Sequence, residues 1–157
     1  MSVPQQLLVF ELDERNFAIN VDSVIRAIRA VEVTPLPQAP QAVLGVINVQ
    51  GQVVPVYDLR QRFGLPVRPV SINDQMIIAN AGNRSVAIVV NEVHGIVEYD
   101  QSQIVQAEQI VPGVEWIEGL LKMNEKLVVI HDLETFLSSG EQEVLDIALK
   151  RMWDVGK

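Results

Sequence analysis

The chain has 157 residues, 48% of them hydrophobic, with 20 acidic residues against 12 basic ones for a formal net charge of −8, and it contains no Cys. That length and apolar content suit a compact globular chain, and the acidic surplus works against nucleic acid and anionic membranes. Disulfides, thiolate catalysis and the common zinc frameworks are excluded with the missing Cys.

Met1 to Leu8 has neither a basic n-region nor a long apolar run, and charged residues interrupt every stretch long enough to span a bilayer. The expectation is a cytoplasmic protein without direct membrane insertion.

Val9 to Leu12 and Phe17 to Val21 are short apolar runs around the polar Asp13-Glu14-Arg15-Asn16, which predicts a β-hairpin. Val31 to Pro40 is punctuated by proline and reads as extended. The phrase GVINVQGQVVPVYDL, Gly45 to Leu59, then splits into strands Val46 to Val49 and Val53 to Tyr57 around a Gln50-Gly51 tip, where Gly supplies positive φ. Pro55 lacks an N–H, so the expectation is an edge or a barrel corner. Asp58 to Gly64 predicts a single helical turn with Asp58 as N-cap and Gly64 as stop. Gly64 to Ser71, with Pro66 and Pro69, reads as a short connection between two halves of the chain.

The second half repeats the first. Gln75 to Asn80 and Ser85 to Val90 flank a polar Ala81 to Arg84 turn, and Phe17 to Ile28 aligns with Val86 to Val97 at an offset of 87 − 18 = 69. Asp100 to Ile110 is polar and carries a predicted short helical turn. GLLKMNEKLVVIHDL, Gly119 to Leu133, repeats the earlier phrase at an offset of 119 − 45 = 74, with four identical positions and five that are apolar in both copies. Its tip is Asn124-Glu125, and Asp132 to Leu137 predicts a second helical turn. Val144, Leu145, Ala148, Leu149 and Met152 recur at helical spacing, so Glu141 to Trp153 predicts a terminal amphipathic helix. The expectation is a mainly β protein of two packed units: about 7–68 a first barrel, about 69–138 a second, and 139–157 the helix.

Catalytic chemistry finds little footing. The chain has two His, His94 and His131, too few for a three-His metal site, and it has no HExxH, Walker, GxGxxG or GxSxG pattern. His131 and Asp132 are neighbours whose side chains diverge on a strand, and Tyr57 replaces His131 in the first copy. An alternative reading keeps a ligand-binding or enzymatic site built on Tyr57, His131 and Asp132. The Asp58 and Asp132 pair is better explained as helix caps. No cofactor and no metal are expected.

The hairpin LLVFELDERNFAINVDSVIRAI, the segment VEVTPLPQAPQAVLGVINVQGQVVPVYDLRQRFG and the later SVAIVVNEVHGIVE resemble the CheW-like family of bacterial chemotaxis coupling proteins, from about Leu7 to Leu137. The resemblance implies a single CheW-like domain over 1–157, made of two five-stranded SH3-like barrels packed side by side, with the C-terminal α-helix added. It also implies a non-enzymatic adaptor bridging chemoreceptor cytoplasmic tips and the regulatory domain of the histidine kinase CheA. Pseudo-equivalent faces on the two barrels would permit self-association or ring assembly. A receptor helix would lie in a groove lined by Val21, Val24, Arg26, Asn48, Val49, Gln50 and Gly51. Two positions depart from the family pattern: Gln50 stands where Arg is usual, and Arg26 where an acid is frequent. These departures point to a divergent chemosensory pathway. No receiver domain and no kinase ATP-binding segment is expected.

Overall fold

The computed structural model describes residues 5–106, 117–123, 126–133 and 139–155. The first hairpin is β1 (Gln5–Leu12) and β2 (Arg15–Asn20), joined by a two-residue turn in which Asp13 and Glu14 both have positive φ, 49° and 68°. Arg15 and Asn16, read from sequence as turn, extend the strand. A one-turn 3-10 helix, Val21–Ser23, leads into β3 (Val24–Arg29), followed by the hairpin β4 (Val43–Val49) and β5 (Gln52–Tyr57) and the short helix α1 (Leu59–Arg62). The second half begins with the hairpin β6 (Gln75–Ala81) and β7 (Arg84–Val90), then β8 (Glu92–Tyr99) and a 3-10 turn at Gln101–Gln103. It continues through β9 (Ile104–Gln106), β10 (Ile117–Met123) and β11 (Lys126–His131) to the C-terminal helix α2 (Ser139–Val155). The Asn124-Glu125 tip and most of the Asp132 to Leu137 turn lie outside the described residues.

The strands form two sheets, a six-stranded one in the order β8-β1-β2-β11-β10-β9 and a five-stranded one in the order β3-β6-β7-β5-β4. The fold is mainly β and SH3-like, though neither sheet closes its hydrogen-bonded ring among the described strands. The division at residue 68 is corrected by the pairing. The β1–β2 hairpin joins the strands of the second half, and the β6–β7 hairpin joins those of the first. Residues 24–90 therefore hold all five strands of one sheet, and residues 5–20 with 92–131 hold the other. The exchange is symmetric: β11 runs parallel to β2 through Ile130 opposite Ala18, and β5 runs parallel to β7 through Val56 opposite Ala87.

A physical reason for the exchange lies in the apolar runs of the two hairpins. Their strands are buried on both faces, so successive residues must all be apolar. Leu8, Phe10, Leu12, Phe17 and Ile19 join Ile77, Ala79, Val86, Ile88 and Val90 in one cluster shared by the sheets. The alternate residues fill each sheet's own interior. Leu7, Val9, Ala18, Leu121, Val128 and Ile130 pack in the six-stranded sheet, and Met76, Ile78, Ala87, Ile47, Val54 and Val56 take the repeat-equivalent places in the other. Had each hairpin stayed with its own half, the repeat would look the same in sequence.

Pro55 also departs from expectation, because β5 is an inner strand. The ladder from β5 to β7 engages Val56 and Tyr57, and Pro55 pairs with Val46 of β4. An inner strand accepts this proline because its missing N–H falls just before that parallel ladder begins. On α2, Leu145 and Ala148 are buried in the shared cluster, with Leu149 and Met152 partly buried beside them, while Val144 and Ile147 are exposed. Arg84 pairs with Asp146, and Arg151 donates to Gln38, fixing the helix against β7 and the 31–40 segment.

Candidate functional site

The residues expected to meet a receptor fall into two groups on the five-stranded sheet. Val21 and Val24 lie at the crossover and the start of β3, half-buried against the cluster between the sheets. Arg26 is exposed further along β3, one margin of the sheet. Asn48 to Gly51 form the tip between β4 and β5, and β4 is the opposite margin. Val49 packs toward the sheet's own interior, away from the cluster that Val21 and Val24 border.

The tip has a local structural logic. Gln50 and Gly51 both have positive φ, 50° and 86°, and Asn48 Oδ1 accepts a hydrogen bond from the Gly51 N–H at 2.8 Å. Asn at this position closes the turn with its side chain, and Gly accepts the left-handed backbone without cost. Gln50 is exposed at the apex. Both margin strands β3 and β8 carry a register shift at repeat-equivalent places, skipping Ile25 against β6 and His94 against β1. Each bulge pushes its residue outward. Ile25 is 46% exposed, and His94 lies 3.5 Å from Glu11 through Nε2.

Beyond the bulges the two margins diverge. β3 presents exposed Arg26 and Arg29, while β8 presents exposed Glu92 and Glu98. Gly95 takes the place of Arg26, and beside it opens a cleft of about 700 Å³ with apolar walls from Val9, Ile96, Val97, Met123 and Val128 and polar groups from Asn16, His94 and Lys126. No signal in a single sequence announces that cleft, since it depends on which side chain is missing from a fold position.

Tyr57 and His131 stand on different sheets, at the ends of β5 and β11. Burial pushes the Tyr57 hydroxyl up to about 12; Arg84 pulls it down, and Asp146 and Glu141 push it further up. It therefore holds its proton at neutral pH. His131 is buried, its ring in a T-shaped contact with Phe63, centroids 5.7 Å apart. Asp132 is half-buried, and Glu118 has its carboxyl raised by burial and by the Asp132 charge. Asp58 is buried and its Oδ1 accepts from the Arg60 N–H at 2.9 Å, the N-cap expected of it. Among the described residues no group of three or more His, Asp or Glu gathers to hold a metal, and no helix is long and apolar enough to cross a membrane.

Two polar clusters escaped the sequence reading. Arg60, three residues after Tyr57 in the motif Asp58-Leu59-Arg60, is buried and bonded to Asp13 and Asn91. In the connection to β6, Arg68 grips Asp74 with two hydrogen bonds of 3.0 and 2.7 Å, and the Ser71 N–H donates to the same carboxylate at 2.8 Å. Burial alone would raise the Asp74 carboxyl, but the Arg68 and Ser71 hydrogen bonds and the Arg68 and Arg60 charges outweigh it and lower it. An Arg–x5–Asp pair in a proline-rich linker is the only trace either cluster leaves in the sequence.

Residues 6–141 match the family model for the CheW-like domain. The chain is 30% identical over 151 residues to the chemotaxis protein CheW of Klebsiella aerogenes, covering 95% of this chain and 91% of that one. It is 28% identical over 144 residues to the chemotaxis protein CheW of Bacillus subtilis, covering 88% and 90%. Its fold is similar to the crystal structure of the scaffolding protein TtCheW from Thermoanaerobacter tengcongensis, with TM-score 0.74, 28% identity, and coverage of 88% of this chain and 96% of that one.

Proposed function

The chain belongs to the CheW-like family, and on that footing we propose that it is a non-enzymatic scaffold of bacterial chemosensory signalling. In this reading it works in the cytoplasm and couples the cytoplasmic tip of a methyl-accepting chemoreceptor to the regulatory domain of the histidine kinase CheA. The observation that carries the reading is the likeness to a scaffolding protein over 88% of the chain, both sheets included. Charge adds support. Equivalent margins with Arg26 and Arg29 on one sheet and Glu92 and Glu98 on the other offer two faces of opposite sign, which suits an adaptor with two dissimilar partners or a head-to-tail ring.

The receptor contact is proposed at Val21, Val24, Arg26 and the Asn48 to Gly51 tip. Asn48 and Gly51 hold the turn, and Gln50 and Arg26 carry the side chains that set partner choice. Their departure from the family pattern supports a divergent pathway. The decisive experiment mixes the protein with its cognate CheA regulatory domain on the order of tens of micromolar and follows size exclusion. Co-elution is expected, and separate elution overturns the reading. Gln50→Arg and Arg26→Glu are expected to change receptor affinity by several-fold in a pull-down titration while leaving the kinase complex intact. Unchanged affinity for both removes these positions from the interface.

A further inference from the structure

The chain crosses between the sheets at Val21–Ser23 and again at Asn91, two equivalent points of the repeat. No strand of one sheet pairs with a strand of the other among the described residues. Their relative angle therefore rests on the apolar cluster between them, and apolar burial has no direction of its own. A directional element sits at the second crossover.

Arg60 is 2% exposed, in the single turn of α1 directly after β5 of the five-stranded sheet. Its Nη2 donates to Asp13 Oδ1 at 3.2 Å and to Asn91 Oδ1 at 2.7 Å. Asn91 Oδ1 also accepts the Asp13 N–H at 2.8 Å, and the Asn91 N–H donates to the Glu11 carbonyl at 2.9 Å. One guanidinium thus joins α1 of one unit, the β1–β2 turn of the other and the strand crossover between them. Its Nε has no hydrogen-bond partner among the described residues. A buried, incompletely bonded cation is a poor source of stability, and apolar residues of the same size often replace such groups without loss. What it supplies is geometry: a planar donor accepts its partners from few directions. The counterpart junction cannot copy it, because Gly82 stands where the repeat offset puts Asp13.

We propose that Arg60 is a positioning residue that sets the angle between the two sheets and thereby holds the margin faces of β3 and β8 in one fixed relation. The inference concerns the fold and does not depend on which partners bind. The chain lacks Cys, so spin labels are placed cleanly at Val53→Cys and Leu127→Cys, equivalent exposed positions on β5 and β11 of the two sheets. Electron–electron distance measurement on the labelled protein is expected to give one narrow distribution. Arg60→Met and Asp13→Asn are expected to shift its mean or widen it while the far-ultraviolet dichroism keeps its strand signature. Arg84→Met, which removes a cation from the helix contact, is expected to leave it in place. Identical distributions in the parent and the Arg60 and Asp13 variants overturn the proposal, as does an equal change with Arg84→Met. Should Arg60→Met fail to fold, Asp13→Asn decides alone.

Discussion

The two sheets are copies of one plan whose interiors agree and whose margins do not. Six repeat-equivalent pairs fill the two interiors, among them Ile47 with Leu121 and Val56 with Ile130. Gly45 and Gly119 are equivalent for a shared steric reason. A Cβ at Gly45 would meet the Thr34 carbonyl oxygen at 2.2 Å, and one at Gly119 would meet the Val105 carbonyl oxygen and Ile104 Cγ2 at 2.8 Å. In each unit the preceding segment crosses directly over that glycine. Charge, bulge residue and tip then differ: Arg26 against Gly95, Ile25 against His94, Gln50 against Asn124. Where two copies must satisfy the same packing, the repeat persists; where each faces something different, it does not.

The comparison breaks first at the glycines. Gly45→Ala is expected to cost on the order of 4 kcal/mol, and Gly119→Ala less, about 1–3 kcal/mol, because the carbonyl oxygen stands at 2.2 Å in the first case and at 2.8 Å in the second, where the other close atom belongs to the Ile104 side chain. Urea unfolding midpoints at constant slope would measure both, and equal losses would mean the two approaches are not as unequal as their distances. The interiors should behave as twins: Ile47→Ala and Leu121→Ala are each expected to lose about 2–5 kcal/mol. A difference between them larger than about 1.5 kcal/mol would show that one interior relaxes around a cavity and the other does not.

At the tip, Gln50→Gly should stabilise the protein by about 1 kcal/mol, since an L side chain in the left-handed region carries that strain. Asn48→Ala is expected to cost about 0.5–1 kcal/mol through the lost bond to the Gly51 N–H. If both shifts are absent, the tip is not held by its turn chemistry.

Protonation distinguishes the units last. Tyr57 has a folded value raised from 10.0 to about 12, so the stability it contributes is complete below pH 10.0 and is lost as pH rises through about 12. Tyr57→Phe should flatten the alkaline limb of a stability–pH curve. Asp74 has a lowered folded value, so its contribution is present above the ordinary 3.8 and is lost as pH falls below that through the folded value. Asp74→Asn should weaken the protein at neutral pH and remove part of its acid sensitivity. Acid and alkaline limbs unchanged by these substitutions would show that neither group is coupled to folding.

Much of this was legible in the letters. Apolar runs such as Val9 to Leu12 and Ser85 to Val90 marked strands, Asp58 marked a cap, and Gln50-Gly51 marked a turn; burial of those strands on both faces came only with the structure. The candidate surface was legible only as positions; that Val21 and Val24 border one cluster and Val49 another depends on the pleat and on which sheet each strand joins. Arg60 stayed hidden because its partners lie 47 and 31 residues away along the chain.

The sequence alone determined the repeated strand pattern, the Gln50-Gly51 turn, the Asp58 cap and the terminal helix, because these answer to backbone conformation and to local alternation of apolar side chains. It also determined the family, through motifs spread along the chain. Only the tertiary structure decided that the hairpins exchange between units, that Arg60 ties the two together, and that Gly95 leaves a cleft where Arg26 stands on the other sheet. Those facts are pairings between distant segments, and a strand with two apolar faces accepts either partner equally until the whole chain closes around it.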